Sequence, residues 1–319
     1  MQVVKATSSD IPEIITVLKS SLGEGLLPKS VEYFIWKHIE NPFGESKILL
    51  AKENNQIIGV RAFMYWNWVC GEEIINTVRA VDTSTLPSHQ GKGVFKNLTL
   101  QAVEECTKEG VEFVFNSPNK ISIIGYLKMG WYENGKMPIY INAGSLLPRI
   151  YNEKSVDELL SIYDIKASLD QLDSGWAIPN SSTHFHTGIN KAFLKWRYQD
   201  CPVANYGAVI EPGVFGIVFR LKKVNRFIEL RICEMWTEKN IGEKQAKQAY
   251  KKLIRKIRPA VVTCGISPLF HHKKNNPLGF FGPFKKGPTI TLKTLASKQL
   301  NSFNQFKQWN PSMGSIELF

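Results

Sequence analysis

The sequence predicts an α/β protein built from two related units in tandem, and three observations indicate this fold class. The chain has 319 residues, which is long for one ordinary domain and sufficient for two. Residues 1–142 alternate between short apolar strands and amphipathic helices. The segment YFIWKHIENPF, which begins at Tyr33, resembles FLKWRYQDCPV, which begins at Phe193, and a predicted strand pair follows each of them. We interpret this echo as an internal duplication.

The predicted elements follow from periodicity and from turn residues. In the N-terminal unit we expect strands at 2–6, 47–52, 57–66, 72–83, 112–116 and 131–141, and helices capped at Ser9 or Asp10 and at 29–40, 94–108 and 119–129. Further along the chain we expect helices at 155–163 and 242–256 and strands at 226–236 and 260–266. The mixed composition of residues 143–190 predicts a boundary there. We therefore divide the chain into a first unit (1–145), a connecting segment (146–190) and a second unit (191–319).

The composition narrows the class of protein. Hydrophobic residues make up 43% and charged residues 21%, as in soluble globular proteins, and no apolar run reaches the length of a membrane span. The five cysteines are scattered without CxxC spacing, and the N-terminus lacks a signal-peptide pattern, so we expect reduced thiols in a cytoplasmic protein without a metal site. The net charge of +12 suggests a polyanionic partner, either a phosphate-rich cofactor or nucleic acid, unless it reflects only a lysine-rich surface.

A glycine-rich loop joins the predicted strand at 72–83 to the long helix at 94–108. Gly91 and Gly93 flank Lys92 immediately before that helix. Glycine is costly at a helix start unless the backbone must approach something closely, and free N–H groups at a helix N-terminus favour anions. The N–H groups of residues 90–95 are therefore candidates for binding a pyrophosphate.

The loop resembles the acyl-CoA-binding motif of the GNAT superfamily of N-acetyltransferases. In that motif Gln or Arg is followed by two residues, Gly, one residue, and then Gly or Ala. Gln90 and Gly93 fit this pattern in QGKGVF, whereas Phe95 replaces the final small residue. The departure removes one small residue at the helix start, where the motif brings the backbone closest to the phosphates.

A second segment extends the resemblance. The stretch FVFNSPNKISIIGYLKMGW, from Phe113 to Trp131, is similar to the GNAT sequence of strand, Asn, helix and Tyr-x-x-x-Gly-aromatic. By this resemblance Asn119 would bond to the pantetheine arm, and Tyr126 would donate a proton to the departing CoA thiolate. A phenol, with a reference pKa of about 10, stays protonated at neutral pH and can serve as such an acid.

The resemblance implies tandem GNAT-like units, each a twisted mixed β-sheet flanked by helices, and an N-acyltransferase that moves an acetyl group from acetyl-CoA to an amine by direct attack. Val81 would offer its backbone N–H to the thioester carbonyl. The full set of expected cofactor-binding residues is Val81, Asp82, Thr83, Gln90, Gly91, Lys92, Gly93, Val94, Phe95 and Asn119. The acceptor, the acyl chain length and the oligomeric state are not encoded in any motif.

The attacking amine needs a general base, and the sequence does not identify one. Asp82 and Glu72 on the predicted strand are candidates, as are His184 and His186 in the stretch THFHTG. The two histidines have the spacing of metal ligands, but no further ligand accompanies them, so we predict no metal.

Two other functions remain open. The first is an aminoacyl-tRNA-dependent transferase similar to the Fem peptidyltransferases, which also contain paired GNAT-like units; the basic charge favours it and the glycine loop opposes it. The second is a catalytically silent module that binds acyl-CoA; Phe95 favours it and Tyr126 opposes it.

Overall fold

The computed structural model describes residues 1–22, 28–178, 184–238, 242–265, 279–295 and 303–316. The N-terminal elements are β1 (Gln2–Lys5), α1 (Ile11–Leu22), α2 (Val31–His38), β2 (Lys47–Glu53), β3 (Gln56–Cys70), β4 (Glu73–Thr85), α3 (Val94–Lys108), β5 (Phe113–Asn116), α4 (Ser122–Lys128) and β6 (Tyr132–Lys136). These bounds confirm the alternation of strands and helices. The predicted capping residues Ser9 and Asp10 lie in a 3₁₀ turn (Ser8–Asp10) that leads into α1; Thr7 is the N-cap of that turn, and Asp10 completes its capping box.

The remaining elements begin with a strand only a few residues after β6. They are β7 (Ile139–Asn142), α5 (Glu153–Ile162), α6 (Ile165–Asp170), β8 (His186–Thr187), α7 (Lys191–Leu194), β9 (Gly207–Glu211), β10 (Phe215–Val224), β11 (Phe227–Thr237), α8 (Glu243–Ile257), β12 (Val261–Cys264), β13 (Phe281–Phe284), β14 (Thr289–Thr294) and α9 (Met313–Ile316). A π-helical turn over 195–199 continues α7.

The strands form two mixed sheets, which confirms the predicted α/β class. The first has the order β1-β2-β3-β4-β5-β14-β6, with β8 also paired to β3, and the second has the order β13-β7-β12-β11-β10-β9. Each sheet contains one parallel pair, β4 with β5 and β11 with β12. In both sheets a helix, a hairpin, a further strand, a long helix and a parallel strand follow one another in the same order.

The two sheets exchange strands. We predicted a single strand at 131–141, but the chain breaks at Met137-Pro138 because proline cannot donate to a β-ladder. Strand β6 stays in the first sheet, whereas β7 joins the second between β12 and β13. In return β14, from the C-terminal part of the chain, lies between β5 and β6. The division at 145 and 190 therefore remains a prediction about the units, while the sheets themselves interlock.

Two tryptophans at matching positions of the internal echo connect the halves. The indole Nε1–H of Trp36 donates to the Trp196 carbonyl at 2.7 Å, and Trp196 donates to the Trp36 carbonyl at the same distance. Their rings stack with centroids 5.0 Å apart. Both side chains are buried, so each bond satisfies groups that water cannot reach.

We expect Trp36→Phe to destabilise the whole chain, because it leaves a buried carbonyl of Trp196 without its donor. The matched control is Trp68→Phe, since Trp68 is also fully buried but its indole N–H has no hydrogen-bond partner in the described part of the chain. Urea unfolding should show a loss of free energy of unfolding about 1–3 kcal/mol larger for Trp36→Phe than for the control. Equal losses would mean that the reciprocal hydrogen bonds contribute nothing beyond packing.

Candidate functional site

Strands β4 and β5 separate in the middle of the first sheet. They pair in parallel only from Thr77 with Phe113 to Arg79 with Phe115. From residue 80 onward, β3 is the only described strand that pairs with β4. The predicted site residues Val81, Asp82 and Thr83 lie on this diverging part and are half-buried. The separation leaves one edge of β4 open to a ligand.

A β-bulge interrupts β4 at the same place. Arg61 pairs with Thr83, and the next residue of β3, Ala62, pairs with Val81, so Asp82 is the extra residue. Bulges bend a strand and redirect its side chains, and they are common beside active sites. The carboxylate of Asp82 consequently turns toward α2.

The glycine loop opens directly onto α3, as predicted. Gly91 and Gly93 have φ values of +75° and +80°, a region that favours glycine, and a Cβ added at either would meet no atom within 4 Å. Gly93 is the N-cap of α3, and no side chain of the described residues caps this helix. The N–H groups of its first turn are therefore available to an anion, beside the exposed side chain of Lys92. Gln90 ties the loop to β4 through a 3.2 Å bond from its Nε2 to the Thr85 carbonyl.

Val94 and Phe95, the first residues of α3, have different surroundings. The side chain of Val94 is buried. The ring of Phe95 packs edge-on against Tyr126, with centroids 5.5 Å apart, and lies so close to Gly125 that a Cβ there would be 2.9 Å from it. The large side chain at this motif position thus packs α3 onto α4, and its backbone N–H remains in the helix mouth.

Asn119 precedes α4 rather than lying on it. We predicted a helix from 119, but α4 begins at Ser122, and the Asn119 Oδ1 accepts hydrogen bonds from the N–H groups of Ile121 (3.0 Å) and Ser122 (2.8 Å). Asparagine competes for backbone N–H groups in this way and so favours helix starts. Its side-chain oxygen is engaged, and its exposed amide NH₂ is the group that can donate to a ligand.

Tyr126 lies on α4, 3% exposed, and its hydroxyl oxygen accepts a 2.7 Å hydrogen bond from Nη1 of Arg61. Sequence reasoning missed Arg61. The available signal was one charged residue within the otherwise apolar run IIGVRAFMYW of β3. Arg61 is fully buried.

Asp82 has partners that oppose a role as general base. Its Oδ2 accepts from Lys37 Nζ at 2.7 Å and lies 2.8 Å from His38 Nε2. Burial alone would raise the pKa of the Asp82 carboxyl, but Lys37 and His38 outweigh burial and lower that pKa well below its usual range. Burial lowers the pKa of His38, which favours a neutral ring there. Asp82 is thus a stable anion rather than a proton acceptor.

The other candidate bases lie far from the bulge. Glu72 is in the turn between β3 and β4, and His186 is on β8, which pairs with Trp68 and Val69 of β3. Those positions are seven or more residues beyond Arg61, roughly 23 Å along an extended strand. Burial lowers the pKa of His186, and its Nδ1 donates to the Thr187 carbonyl. His184, which precedes β8, belongs to the same end of the sheet.

The second sheet repeats the bulge, but the glycine at the start of its long helix has a different conformation from Gly93. Its bulge lies between Val218 and Phe219, opposite the extra residue Cys233. Gly242, the N-cap of α8, has no left-handed φ, and a Cβ there would come within 2.0 Å of the Val214 carbonyl oxygen. Backbone thus fills the side-chain direction at Gly242, whereas that direction is open at Gly91 and Gly93.

The described ranges contain no candidate metal site and no candidate membrane-spanning helix. No group of three or more His, Cys, Asp or Glu residues could hold a metal ion there. Among the helices of those same ranges, none has the length and apolarity to cross a bilayer.

We expect Asp82→Asn to lower the free energy of unfolding at pH 7 by on the order of 2 kcal/mol, because it leaves Lys37 buried without its anion. The folded pKa of Asp82 is depressed, so its contribution is present above the unfolded pKa of about 4 and is lost as the pH falls below it. Urea unfolding at pH 7 and pH 3 should show the difference from wild type shrinking at the lower pH.

The matched control is Asp170→Asn, which removes an exposed ion pair with Lys166 on α6. Exposed pairs contribute little, so this variant should unfold much like wild type at both pH values. A pH-independent effect at Asp82 would contradict the assigned charge.

Comparison with known proteins gives a family match in the N-terminal part of the chain. Residues 2–133 match the family model described as an Acetyltransferase (GNAT) domain. A search of curated proteins found no match.

Solved structures share the fold of nearly the whole chain. A GCN5-related N-acetyltransferase from Anabaena variabilis is 14% identical, with a TM-score of 0.62, and the match covers 92% of this chain and 73% of that one. A protein from Enterococcus faecalis described as a probable N-acyltransferase is 10% identical, with a TM-score of 0.64 and coverage of 92% and 72%. A GCN5-related N-acetyltransferase from Kribbella flavida is 14% identical, with a TM-score of 0.56 and coverage of 92% and 70%. Residues 2–133 of this chain are therefore a GNAT acetyltransferase domain, set in a longer chain that shares its fold with these proteins.

Proposed function

We propose that this protein is an N-acyltransferase that moves an acetyl group from acetyl-CoA to an amine. The observation that carries the proposal is the open mouth of α3, with Gly91 and Gly93 in left-handed conformations, beside the point where β4 and β5 part. An uncapped helix N-terminus binds phosphate groups, and the parted strands leave room for a narrow chain such as pantetheine. The family match to residues 2–133 supports the same chemistry.

Each site residue has a role in this proposal. The N–H groups of residues 91–95, with Gln90 and Lys92 beside them, bind the diphosphate. The Asn119 amide donates to the pantetheine arm, and Asp82 and Thr83 border that arm on β4. The Val81 N–H stabilises the negative charge that develops on the thioester oxygen when the amine attacks. Tyr126 gives its phenolic proton to the departing sulfur.

We place the acceptor site between the two halves of the molecule, because ligand sites favour interfaces between domains and the second half can serve as a wall. In this reading residues 191–319 derive from a duplicated GNAT-like unit that has lost its cofactor site. The acceptor is an amine of a small molecule or peptide. The five cysteines are unpaired, in agreement with a cytoplasmic location.

One observation favours a second candidate, a module that binds acyl-CoA without turning it over. Tyr126 is almost fully buried and the ring of Phe95 covers it, so its hydroxyl must become accessible before it can reach a sulfur atom. Binding without turnover would be the result expected for that module.

Gly93→Val should abolish most acetyl-CoA binding while leaving the fold intact. A side chain at this open position costs about 1–2 kcal/mol of backbone strain and projects into the proposed diphosphate site. Calorimetric titration should show affinity reduced roughly tenfold or more.

The control is Gly213→Val in the turn between β9 and β10. Gly213 has a φ of +74°, and a Cβ there would also meet no atom within 4 Å, so the strain is the same but the position is far from the site. It should keep wild-type affinity. Equal loss of binding in both variants, or wild-type binding by Gly93→Val, would refute the loop assignment.

Tyr126→Phe should lower kcat by roughly tenfold to a thousandfold while the KM for acetyl-CoA changes little, because the phenolic proton acts only as the sulfur departs. The assay is release of free CoA thiol in the presence of a panel of amines, after a thermal-shift screen has identified the preferred acyl-CoA. Unchanged turnover would remove Tyr126 from the mechanism. A wild-type protein that binds acetyl-CoA but acetylates no amine would favour the silent module.

A further inference from the structure

Arg61 is a buried cation without a neutralising carboxylate. Its side chain is fully buried on β3, and Nη1 makes its hydrogen bond to Tyr126. Within the described residues, Nε and Nη2 have no hydrogen-bond partner, and no carboxylate forms an ion pair with this guanidinium. Aromatic rings surround it instead, with centroids 4.7 Å (Phe63), 5.3 Å (Tyr126) and 5.7 Å (Phe95) from its Cζ.

This arrangement is costly for the folded state. An unpaired charge in a protein interior costs several kcal/mol, and each unsatisfied buried donor adds about 1–3 kcal/mol. Cation–π contacts recover only part of that cost. An apolar side chain on β3 would pack in the same place without either penalty, so packing alone does not explain an arginine here.

The single bond that Arg61 does make is directed at the proposed acid. Because the guanidinium donates to the Tyr126 oxygen, the phenol's own hydrogen must point away from Arg61. The bond therefore restricts the direction in which Tyr126 can donate. Arg61 also pairs with Thr83 at the bulge. Its backbone position is therefore beside the part of β4 that has separated from β5.

We propose that Arg61 is the positioning residue of the active site: it orients the Tyr126 hydroxyl and stabilises the phenolate that forms when this hydroxyl gives up its proton. The inference rests on the proposed function. It adds a residue that neither the motif nor the family match assigns.

Each proton that moves in this step has a donor and an acceptor. When the tetrahedral intermediate collapses, the C–S bond breaks, the sulfur takes the phenolic proton of Tyr126 and leaves as a thiol. The phenolate left behind faces the guanidinium, so a hydrogen bond between a cation and a neutral phenol becomes an ion pair during the reaction. The proton lost by the attacking amine returns to the phenolate through solvent. An interaction that strengthens in this step raises kcat rather than ground-state affinity.

The test is a double-mutant cycle between Arg61 and Tyr126, measured as kcat and KM for acetyl-CoA. Arg61→Met removes the charge at similar length and should lower kcat at least roughly tenfold with KM within about twofold. Arg61→Lys keeps the charge and should give an intermediate kcat. In the Tyr126→Phe background, Arg61→Met should lower kcat no further, because its effect is exerted through the phenol.

Arg197→Met is the matched control. Arg197 is a buried arginine of the C-terminal half that also lies over tyrosine rings, and its effect should be additive with that of Tyr126→Phe. Circular dichroism establishes that each variant is folded. If Arg61→Met does not fold, the same cycle is run with Arg61→Lys, whose smaller loss must also vanish in the Tyr126→Phe background.

The outcomes separate the two proposals. Wild-type kcat in Arg61→Met, or a further loss when it is added to Tyr126→Phe, overturns the inference and leaves the proposed function intact. A wild-type protein without turnover on any amine overturns both.

Discussion

The site depends on one constraint in the first sheet: β4 and β5 run parallel and hydrogen-bond over three residue pairs, after which β4 stays with β3 alone. A parallel pair that separates in this way exposes the edge of β4 without unfolding the sheet. The bulge at Asp82 lies on the exposed part, and the α3 mouth follows it directly in sequence. The separated strands, rather than any one side chain, determine where a ligand can enter.

The second half of the molecule is joined firmly to the sheet in which β4 and β5 separate. The exchange of β7 and β14 makes each sheet complete only in the presence of the other, and the stacked Trp36–Trp196 pair joins them at equivalent positions. The second sheet keeps the bulge, but Gly242 at the start of its long helix has no left-handed φ, and its side-chain direction is filled by the Val214 carbonyl. The first half therefore carries the loop with left-handed Gly91 and Gly93, and the second half contributes β14 to its sheet.

The sequence predicted what depends on local patterns. The helices and the hairpin were predicted from hydrophobic periodicity. The glycine loop was predicted from the two glycines that precede the helix, since glycine adopts conformations that other residues rarely adopt. It could not predict contacts between distant residues. The bond between Arg61 and Tyr126 joins positions 65 apart, and the strand exchange pairs β14 with β5 across an even longer stretch of sequence. The tertiary fold brings Lys37 and His38 of α2 to Asp82, which changes a candidate base into a fixed anion.

The most direct test of the central claim, that the mouth of α3 binds the diphosphate of coenzyme A, is a crystal structure of the protein with that coenzyme. The account predicts diphosphate oxygens within hydrogen-bond distance of the N–H groups of residues 91–95, and the pantetheine arm between β4 and β5. Coenzyme bound elsewhere on the molecule, or an empty helix mouth at saturating concentration, would contradict it.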